Sequence, residues 1–427
     1  MSARIAVIGT GYVGLSSGVC MAHLGHDVIC VDLDQSKVDK LSRGEPTIVE
    51  HRLEELLQEG LASGRLKFTT DAAAAVHDRQ MVFMCVQTPQ GDDGSADMTY
   101  LKAALAGIAP HLAQGAIVIN KSTVPVGTSR LSQELLDRPD VRVASNPEFL
   151  REGTALDDFL SPDRVVVGCD DRAAALAVAD LYAPLGARTV ITNPETSETI
   201  KYAANAFLAT KLSFINDIAA LCEAVGADVR DVSVGLGYDR RIGADFLKPG
   251  PGWGGSCFPK DSRALVHIAD EAGYPFHLLR AVIESNEHQY ERIADKVRTA
   301  AGGSLAGAVV AVWGLTFKAG TDDLRDSPSL SIVRRLVHDG AVVRAYDPTS
   351  NGPHPYIPSE VELAASAVEA TRGAQVLAVF TEWPDFTKVH PADVAEVMTG
   401  RVIVDGRNLL DREVWTAAGF THLGIGR

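Results

Sequence analysis

Several things are scarce in this chain of 427 residues, and each scarcity excludes something. Its six cysteines are Cys20, Cys30, Cys85, Cys169, Cys222 and Cys257, scattered with no CxxC pair. That spacing suggests neither a zinc knuckle nor a disulfide framework, no metal is called for, and a reducing cytoplasm is the expected setting. No apolar run approaches the ~20 residues of a membrane span. The run after Arg4 stops at Gly9, too short for the core of a secretory signal. Basic residues are outnumbered, 40 against 55 acidic, for a formal net charge of −15. Such a balance argues against general binding to nucleic acid or to an anionic membrane, although a few placed Lys and Arg can still hold an anionic ligand. Short-period repeats are absent too. What is present, 46% apolar and 22% charged residues, is ordinary for a globular enzyme. The length predicts two or three domains.

The first half alternates short β-branched runs with helical stretches. Expected strands are Arg4–Ile8, Asp27–Val31, Leu66–Thr69, Met81–Val86, Ala116–Asn120, Val141–Ser145, Arg164–Val167 and Arg188–Ile191. Helical patterns such as Leu15–Leu24 and Tyr100–Leu112 lie between them, which implies a mostly parallel sheet covered on both faces. Asn193-Pro194 then reads as the start of a long helix and Gly226 as its stop. Over 194–225 that helix would be about 48 Å long. It is apolar around much of its circumference, so a place between domains or subunits is expected. Further helix is predicted from about Lys260 to Ala301, and Gly302-Gly303-Ser304 reads as a linker. Strands resume at Ala308–Trp313, Ala341–Tyr346, Val376–Phe380 and Val402–Val404. The expected class is α/β in three parts: a nucleotide-binding domain over 1–192, a helical region over 193–301, and a second α/β domain over 305–427.

Gly9-Thr10-Gly11-Tyr12-Val13-Gly14 is GxGxxG, directly after the first strand and opening a helix. A second strand then ends at Asp32. In that context the motif is the dinucleotide fingerprint. Gly9 permits the tight turn, Gly11 admits the pyrophosphate to the backbone, and Gly14 lets helix and strand pack closely. Asp32 would accept hydrogen bonds from the adenosine ribose and repel a 2′-phosphate, so NAD is expected rather than NADP.

The stretch Gly254-Gly255-Ser256-Cys257-Phe258-Pro259-Lys260-Asp261 carries the second signal. Pro259 fits the first turn of a helix, placing Cys257 near its N-terminus, where the dipole and nearby cations favour a thiolate. The other five cysteines, in apolar surroundings, read as inert core thiols. Lys201 and Asn205 lie four apart on the long helix and share one face. A nicotinamide cofactor beside a cysteine nucleophile suggests an aldehyde trapped as a thiohemiacetal, oxidised to a thioester and hydrolysed.

Ordered segments carry a resemblance over nearly the whole chain: IAVIGTGYVG at 5–14, STVPVGT at 122–128, NPEFLREGTALDDFLSPDRVVVG at 146–168, KYAANAFLATKLSFINDIA at 201–219, RIGADFLKPGPGWGGSCFPKD at 241–261, GLTFKAGTDDLRDSPS at 314–329 and DGRN at 405–408. The chain resembles the UDP-glucose/GDP-mannose dehydrogenase family. The resemblance implies an NAD-binding Rossmann domain, a central helical region forming a dimer interface, and a C-terminal Rossmann-like domain for the nucleotide sugar. It implies oxidation of a sugar C6 alcohol to the acid with two NAD, in a homodimer or larger homo-oligomer. Cys257 would be the nucleophile. Lys201 and Asn205 would stabilise oxyanion charge, Asp261 and Thr123 would handle water, and Glu152 would do acid–base work. Sugar-nucleotide contacts would come from Glu148, Phe149, Leu150, Lys201, Asn205, Arg241, Phe246, Lys248, Gly254, Cys257, Phe317, Lys318 and Arg407. Tyr12, Val13, Lys37, Thr88, Ser122, Thr123, Glu152, Lys260 and Arg325 would join the fingerprint around NAD. The segment 241–261 resembles the UDP-glucose branch, with GDP-mannose or UDP-N-acetylmannosamine as alternative substrates and a non-catalytic sensor as the contrasting reading. Two turns depart from the family pattern, Val86-Gln87-Thr88-Pro89 and Ile48-Val49-Glu50-His51-Arg52-Leu53.

Overall fold

The computed structural model describes residues 2–91, 94–350 and 352–427. The chain forms two compact units, Met1–Ala204 with Arg263–Tyr274, and Asn205–Ser262 with Pro275–Arg427.

The first unit is built on eight strands, β1 (Arg4–Ile8), β2 (Asp27–Val31), β3 (Leu66–Thr69), β4 (Met81–Met84), β5 (Ile117–Asn120), β6 (Arg142–Ser145), β7 (Val165–Gly168) and β8 (Thr189–Thr192). Their order is β3-β2-β1-β4-β5-β6-β7-β8. The first six run parallel in the doubly wound arrangement whose ligands bind beyond the carboxyl ends of the strands. β7 joins antiparallel to β6 through Ser145 and Gly168, and β8 runs parallel to β7. Alternation along β1 fills both faces. Ile5 and Val7 enter one core with Leu15, Val19, Val28 and Phe83. Ala6 and Ile8 enter the other with Val82, Met84, Leu101 and Val118. Each fully buried branched side chain contributes about 1.5–3 kcal/mol.

The second unit holds a six-stranded sheet, all parallel, of β9 (Val309–Trp313), β10 (Val342–Tyr346), β11 (Glu362–Leu363), β12 (Val376–Val379), β13 (Val402–Asp405) and β14 (Thr421–Leu423). The order is β11-β10-β9-β12-β13-β14. β11 and β14 lack the apolar run that signals a strand; register with a neighbour makes them. One core of this unit is rich in aromatic rings, with Trp313 stacked on Phe386 at 5.2 Å and Trp415 edge-on to Phe420 at 5.2 Å.

The long helix is 32 residues, Pro194–Val225. The Thr196 N–H donates to Asn193 Oδ1 at 2.8 Å, so Asn193 caps it. At its far end Gly226 takes φ +76° and the Ala227 N–H returns to the Cys222 carbonyl. Ala209, Ile215, Ala219 and Cys222 are buried along one face, whereas Phe207, Phe214 and Leu221, seven apart, remain more than half exposed. The helix expected over 260–301 is in fact two, Phe258–Glu271 and His277–Ala300. Gly273, in the left-handed region, and Pro275 break it. Among the described residues no helix is long and apolar enough to cross a membrane.

Candidate active site

In the first unit, β1 runs into Gly9 and the helix Tyr12–His23 begins at once. Gly9 takes φ +98°, and a Cβ there would lie 2.7 Å from the Cys85 carbonyl. A Cβ on Gly14 would lie 1.9 Å from the Gly9 oxygen, so helix and turn touch only because residue 14 is glycine. Gly11 is the opposite case: it is exposed, with nothing within 4 Å of a Cβ. An open backbone at a helix N-terminus suits a pyrophosphate, and NAD fits these residues. Asp32 Oδ2 accepts from the Thr10 N–H at 3.1 Å and the Thr10 hydroxyl at 2.6 Å. Partial burial works against its charge, but these bonds, with the Asp34 N–H and nearby Lys37, hold its pKa below the usual carboxylate range. It remains partly open to a ribose. Val13 packs on the core.

Tyr12 does something the motif did not announce. Its hydroxyl donates to Glu50 and accepts the Gly153 N–H at 2.7 Å. Glu50 also receives the Gly153 and Ala155 N–H groups at 2.8 and 2.9 Å. The departing segment 48–53 therefore retains the carboxylate that ties the loop bearing Glu152 to the fingerprint helix. Thr88 and Ser122 likewise cross-link two loops: the Thr88 hydroxyl donates to the Thr123 carbonyl at 2.8 Å, and the Ser122 hydroxyl to the Val86 carbonyl at 2.6 Å. Glu198, unforeseen, accepts from the Gly127 and Ser129 N–H groups at 2.7 and 2.8 Å, bracing the end of the loop that carries Thr123. Burial raises the Glu198 pKa despite those bonds.

Lys201 and Glu148 form a buried ion pair at 2.9 Å, with side chains 3% and 5% exposed. Burial opposes the Glu148 charge, but the Lys201 ammonium, the Leu150 N–H and Lys121 outweigh it and lower its pKa. Two cations approach the Phe149 ring, Arg164 at 3.5 Å and Lys201 Nζ at 5.5 Å from its centroid. Lys121, also unforeseen, is buried against Asn146 Oδ1 at 3.1 Å and the Tyr182 hydroxyl at 3.3 Å. Burial pulls its pKa down to about 8.

In the second unit, Cys257 immediately precedes the helix Phe258–Glu271 and its carbonyl accepts the Asp261 N–H at 2.8 Å. Cys257 is partly exposed, whereas the other five cysteines are buried. Asp261, 1% exposed, accepts from the Asn205 amide at 2.6 Å and from Lys260 Nζ at 2.5 Å. Asn205, Lys260, Asp261 and Cys257 thus form one cluster. Lys201 and Asn205, one turn apart on the same helix, supply one residue to each cluster.

Arg407 is held in place by carbonyls, donating Nε to Phe380 at 2.9 Å and Nη2 to Phe317 at 3.1 Å, with Glu382 Oε2 at 2.9 Å. Lys318 Nζ lies 5.5 Å from the Phe317 ring centroid, and that ring packs on Gly255. A Cβ on Gly254 would sit 2.1 Å from the Asp326 carbonyl. Phe246, with φ +61°, stacks obliquely on Phe258 at 6.2 Å. Three further predicted cations lie at the surface. Arg241 is 90% exposed and paired with Asp239, Arg325 is paired with Asp323, and Lys248 is exposed. Among the described residues no group of three or more His, Cys, Asp or Glu could hold a metal ion.

A doubly wound sheet with an open glycine fingerprint and a partly accessible aspartate after its second strand defines an NAD-dependent oxidoreductase. The chain matches three domain models in succession: the NAD binding domain of the UDP-glucose/GDP-mannose dehydrogenase family over residues 3–186, its central domain over 195–288 and its UDP binding domain over 311–412. The chain belongs to the UDP-glucose/GDP-mannose dehydrogenase family. It is 46% identical to the UDP-glucose 6-dehydrogenase TuaD of Bacillus subtilis (strain 168), over 99% of this chain and 93% of that protein. Its fold matches a UDP-glucose dehydrogenase from the archaeon Pyrobaculum islandicum at TM-score 0.88 and 36% identity, covering 96% of this chain and 95% of that one. A UDP-D-ManNAc dehydrogenase from Pyrococcus horikoshii matches at the same TM-score, 31% identity and 99% coverage of both chains.

Proposed function

We propose that the protein oxidises UDP-glucose to UDP-glucuronate, using two NAD and one water and releasing two NADH. The carrying observation is the cluster in which Asp261, buried and hydrogen-bonded by Asn205 and Lys260, sits one helical turn beyond Cys257. A simple alcohol dehydrogenase needs no such thiol. Full-length identity to a UDP-glucose 6-dehydrogenase supports the choice of sugar nucleotide, GDP-mannose and UDP-N-acetylmannosamine being the competitors.

NAD supplies a hydride acceptor for each oxidation. Lys201 stabilises the alkoxide as the C6 alcohol loses its proton, and the carbonyl forms. The Cys257 thiolate adds to that aldehyde, giving a thiohemiacetal whose oxyanion Asn205 and Lys201 stabilise. Loss of a second hydride leaves a thioester. Asp261 and Thr123 direct water onto it, Glu152 exchanges protons, and the carboxylate departs as the thiol is restored. Lys318 and Arg407 hold the diphosphate. Glu148, Phe149, Leu150, Phe246, Lys248, Gly254 and Phe317 complete the sugar-nucleotide contacts, with Arg241 reaching across from a second subunit. Tyr12, Lys37, Thr88, Ser122, Lys260 and Arg325 belong to the NAD site. The exposed Phe207–Phe214–Leu221 stripe supports a homodimer, and the setting is cytoplasmic.

The test is to incubate limiting UDP-glucose with excess NAD and count NADH per sugar, with Cys257→Ser beside it. Two NADH per sugar and loss of roughly a thousand-fold or more in steady turnover for the variant are expected. One NADH per sugar in the unaltered protein would overturn the thioester route. Turnover with GDP-mannose alone would overturn the substrate.

A further inference from the structure

The segment leading to Cys257 is gripped by one face of the helix His277–Ala300. Asn286 imitates a peptide group. Its Oδ1 accepts the Trp253 N–H at 2.9 Å, and its Nδ2 donates to the Trp253 carbonyl at 2.9 Å. Tyr290, one turn on, donates its hydroxyl to the same carbonyl at 2.7 Å and receives the Asn286 amide at 2.7 Å. Gln289 donates to the Gly250 carbonyl at 2.8 Å. Asn286, Gln289 and Tyr290 are at most 5% exposed. From the long helix, Asn216 accepts the Gly250 N–H at 2.8 Å and Ser213 the Trp253 indole N–H at 2.8 Å. Gly252 has φ +129°, and a Cβ there would meet the Tyr290 ring at 2.4 Å, so both the backbone and the space require glycine. On its other side the segment meets Asp326 and Phe317, which a Cβ on Gly254 or Gly255 would strike at 2.1 and 2.8 Å.

A segment with this much glycine loses the most conformational freedom on ordering, and nothing in its own sequence would hold it still. Buried polar side chains on an otherwise apolar helix face are costly unless each is satisfied, and here the loop backbone is what satisfies them. We propose that Asn286 and Tyr290 are positioning residues for the nucleophile: by fixing the Trp253 peptide on a rigid helix they set the place from which Cys257 attacks. The proposal rests on the reading of Cys257 as nucleophile. It concerns aim alone; neither residue is given a part in proton or hydride transfer.

The test compares Tyr290→Phe and Asn286→Asp in the full-length protein. Two readouts are used, the second-order rate of Cys257 alkylation by iodoacetamide, followed by peptide mass spectrometry, and the kcat–KM split with UDP-glucose. Tyr290→Phe deletes one oxygen and keeps the ring against Gly252, so it carries the test even if Asn286→Asp fails to fold. The expected result for Tyr290→Phe is a fall in kcat of about five- to ten-fold, the size of one or two lost hydrogen bonds. KM for UDP-glucose should stay within about two-fold, and the alkylation rate of Cys257 should change. A purely structural role would lower the melting temperature while leaving alkylation and kcat of the folded protein untouched, and that result overturns the proposal. Cys257→Ser separates the two readings: if it keeps full turnover, the parent reading falls. If it loses turnover while Tyr290→Phe matches the unaltered protein in both readouts, only the positioning role falls.

Discussion

The two sheets begin with the same sentence and finish it differently. After β1 the chain reads Gly9-Thr10-Gly11-Tyr12-Val13-Gly14; after β9 it reads Gly314-Leu315-Thr316-Phe317-Lys318-Ala319. The first glycines correspond. Gly9 donates to the Val31 carbonyl and Gly314 to the Tyr346 carbonyl, and both have positive φ. An aspartate ends the second strand in each, Asp32 and Asp347. There the likeness stops. Where Gly11 leaves open space, Thr316 is buried, its hydroxyl donating to Asp347 at 3.0 Å. The first helix starts at Tyr12, whereas its counterpart waits until Pro328. Asp32 remains partly accessible; Asp347 is fully buried, taking up N–H groups of Leu315 and Thr316 and the Trp383 indole. One aspartate keeps an open side and the other is wholly taken up by the fold. A strand–glycine–aspartate frame is a scaffold, and its function depends on whether the space above the turn is left empty.

This contrast can be broken at four points. The largest effect is expected from Asp347→Ala, which leaves several buried donors unmatched and should cost at least about 3 kcal/mol in urea unfolding. A loss below 1 kcal/mol would mean that the acid is not structural. Gly11→Val should weaken NAD roughly 100-fold, about 2.7 kcal/mol by titration, while costing under about 1 kcal/mol of stability. Asp32→Asn should move the preference between NAD and NADP by about ten-fold toward NADP in kcat/KM, with unfolding almost unchanged.

The smallest effect at neutral pH concerns the first unit's own buried charge. Lys121→Met should change stability by no more than about 1 kcal/mol at pH 7, because a buried cation gains little over a well-packed apolar side chain. The pH dependence distinguishes the variant more sharply. The Lys121 pKa in the folded protein, about 8, lies below its unfolded value. Between the two the unfolded chain binds more protons, so this residue makes stability rise as pH climbs from about 8 toward 10. Urea midpoints at pH 7 and 9.5 should show the rise in the unaltered protein and a smaller one in Lys121→Met.

Most strands were readable because a sheet buried on both faces needs near-continuous apolar runs, and Arg4–Ile8 after its first residue and Val376–Val379 are such runs. β11 and β14 were not, because short edge strands take their conformation from a neighbour. The long helix was bounded correctly since both ends carry capping chemistry. The stretch predicted from about Lys260 to Ala301 divides at Gly273 and Pro275, single residues that a helical periodicity does not register. The clusters around Cys257 and Lys201 grew from local motifs. The residues that brace the loops of the two units, Glu50, Glu198, Asn286 and Tyr290, bond across 33 to 105 positions of sequence, so no local pattern reports them. A signal existed for one group: Asn286, Gln289 and Tyr290 interrupt an apolar stripe containing Val282, Ile293 and Val297.

All four tryptophans, Trp253, Trp313, Trp383 and Trp415, fall in the second unit. Excitation at the red edge of the protein band therefore lights one unit and leaves the other dark. An unfolding curve followed by indole emission describes the nucleotide-sugar half of the chain, and a separate loss of the NAD-binding half would pass unseen in it. With Trp253 four residues from Cys257, the same emission also offers an intrinsic optical report on the loop that carries Cys257 once Trp313, Trp383 and Trp415 have been replaced.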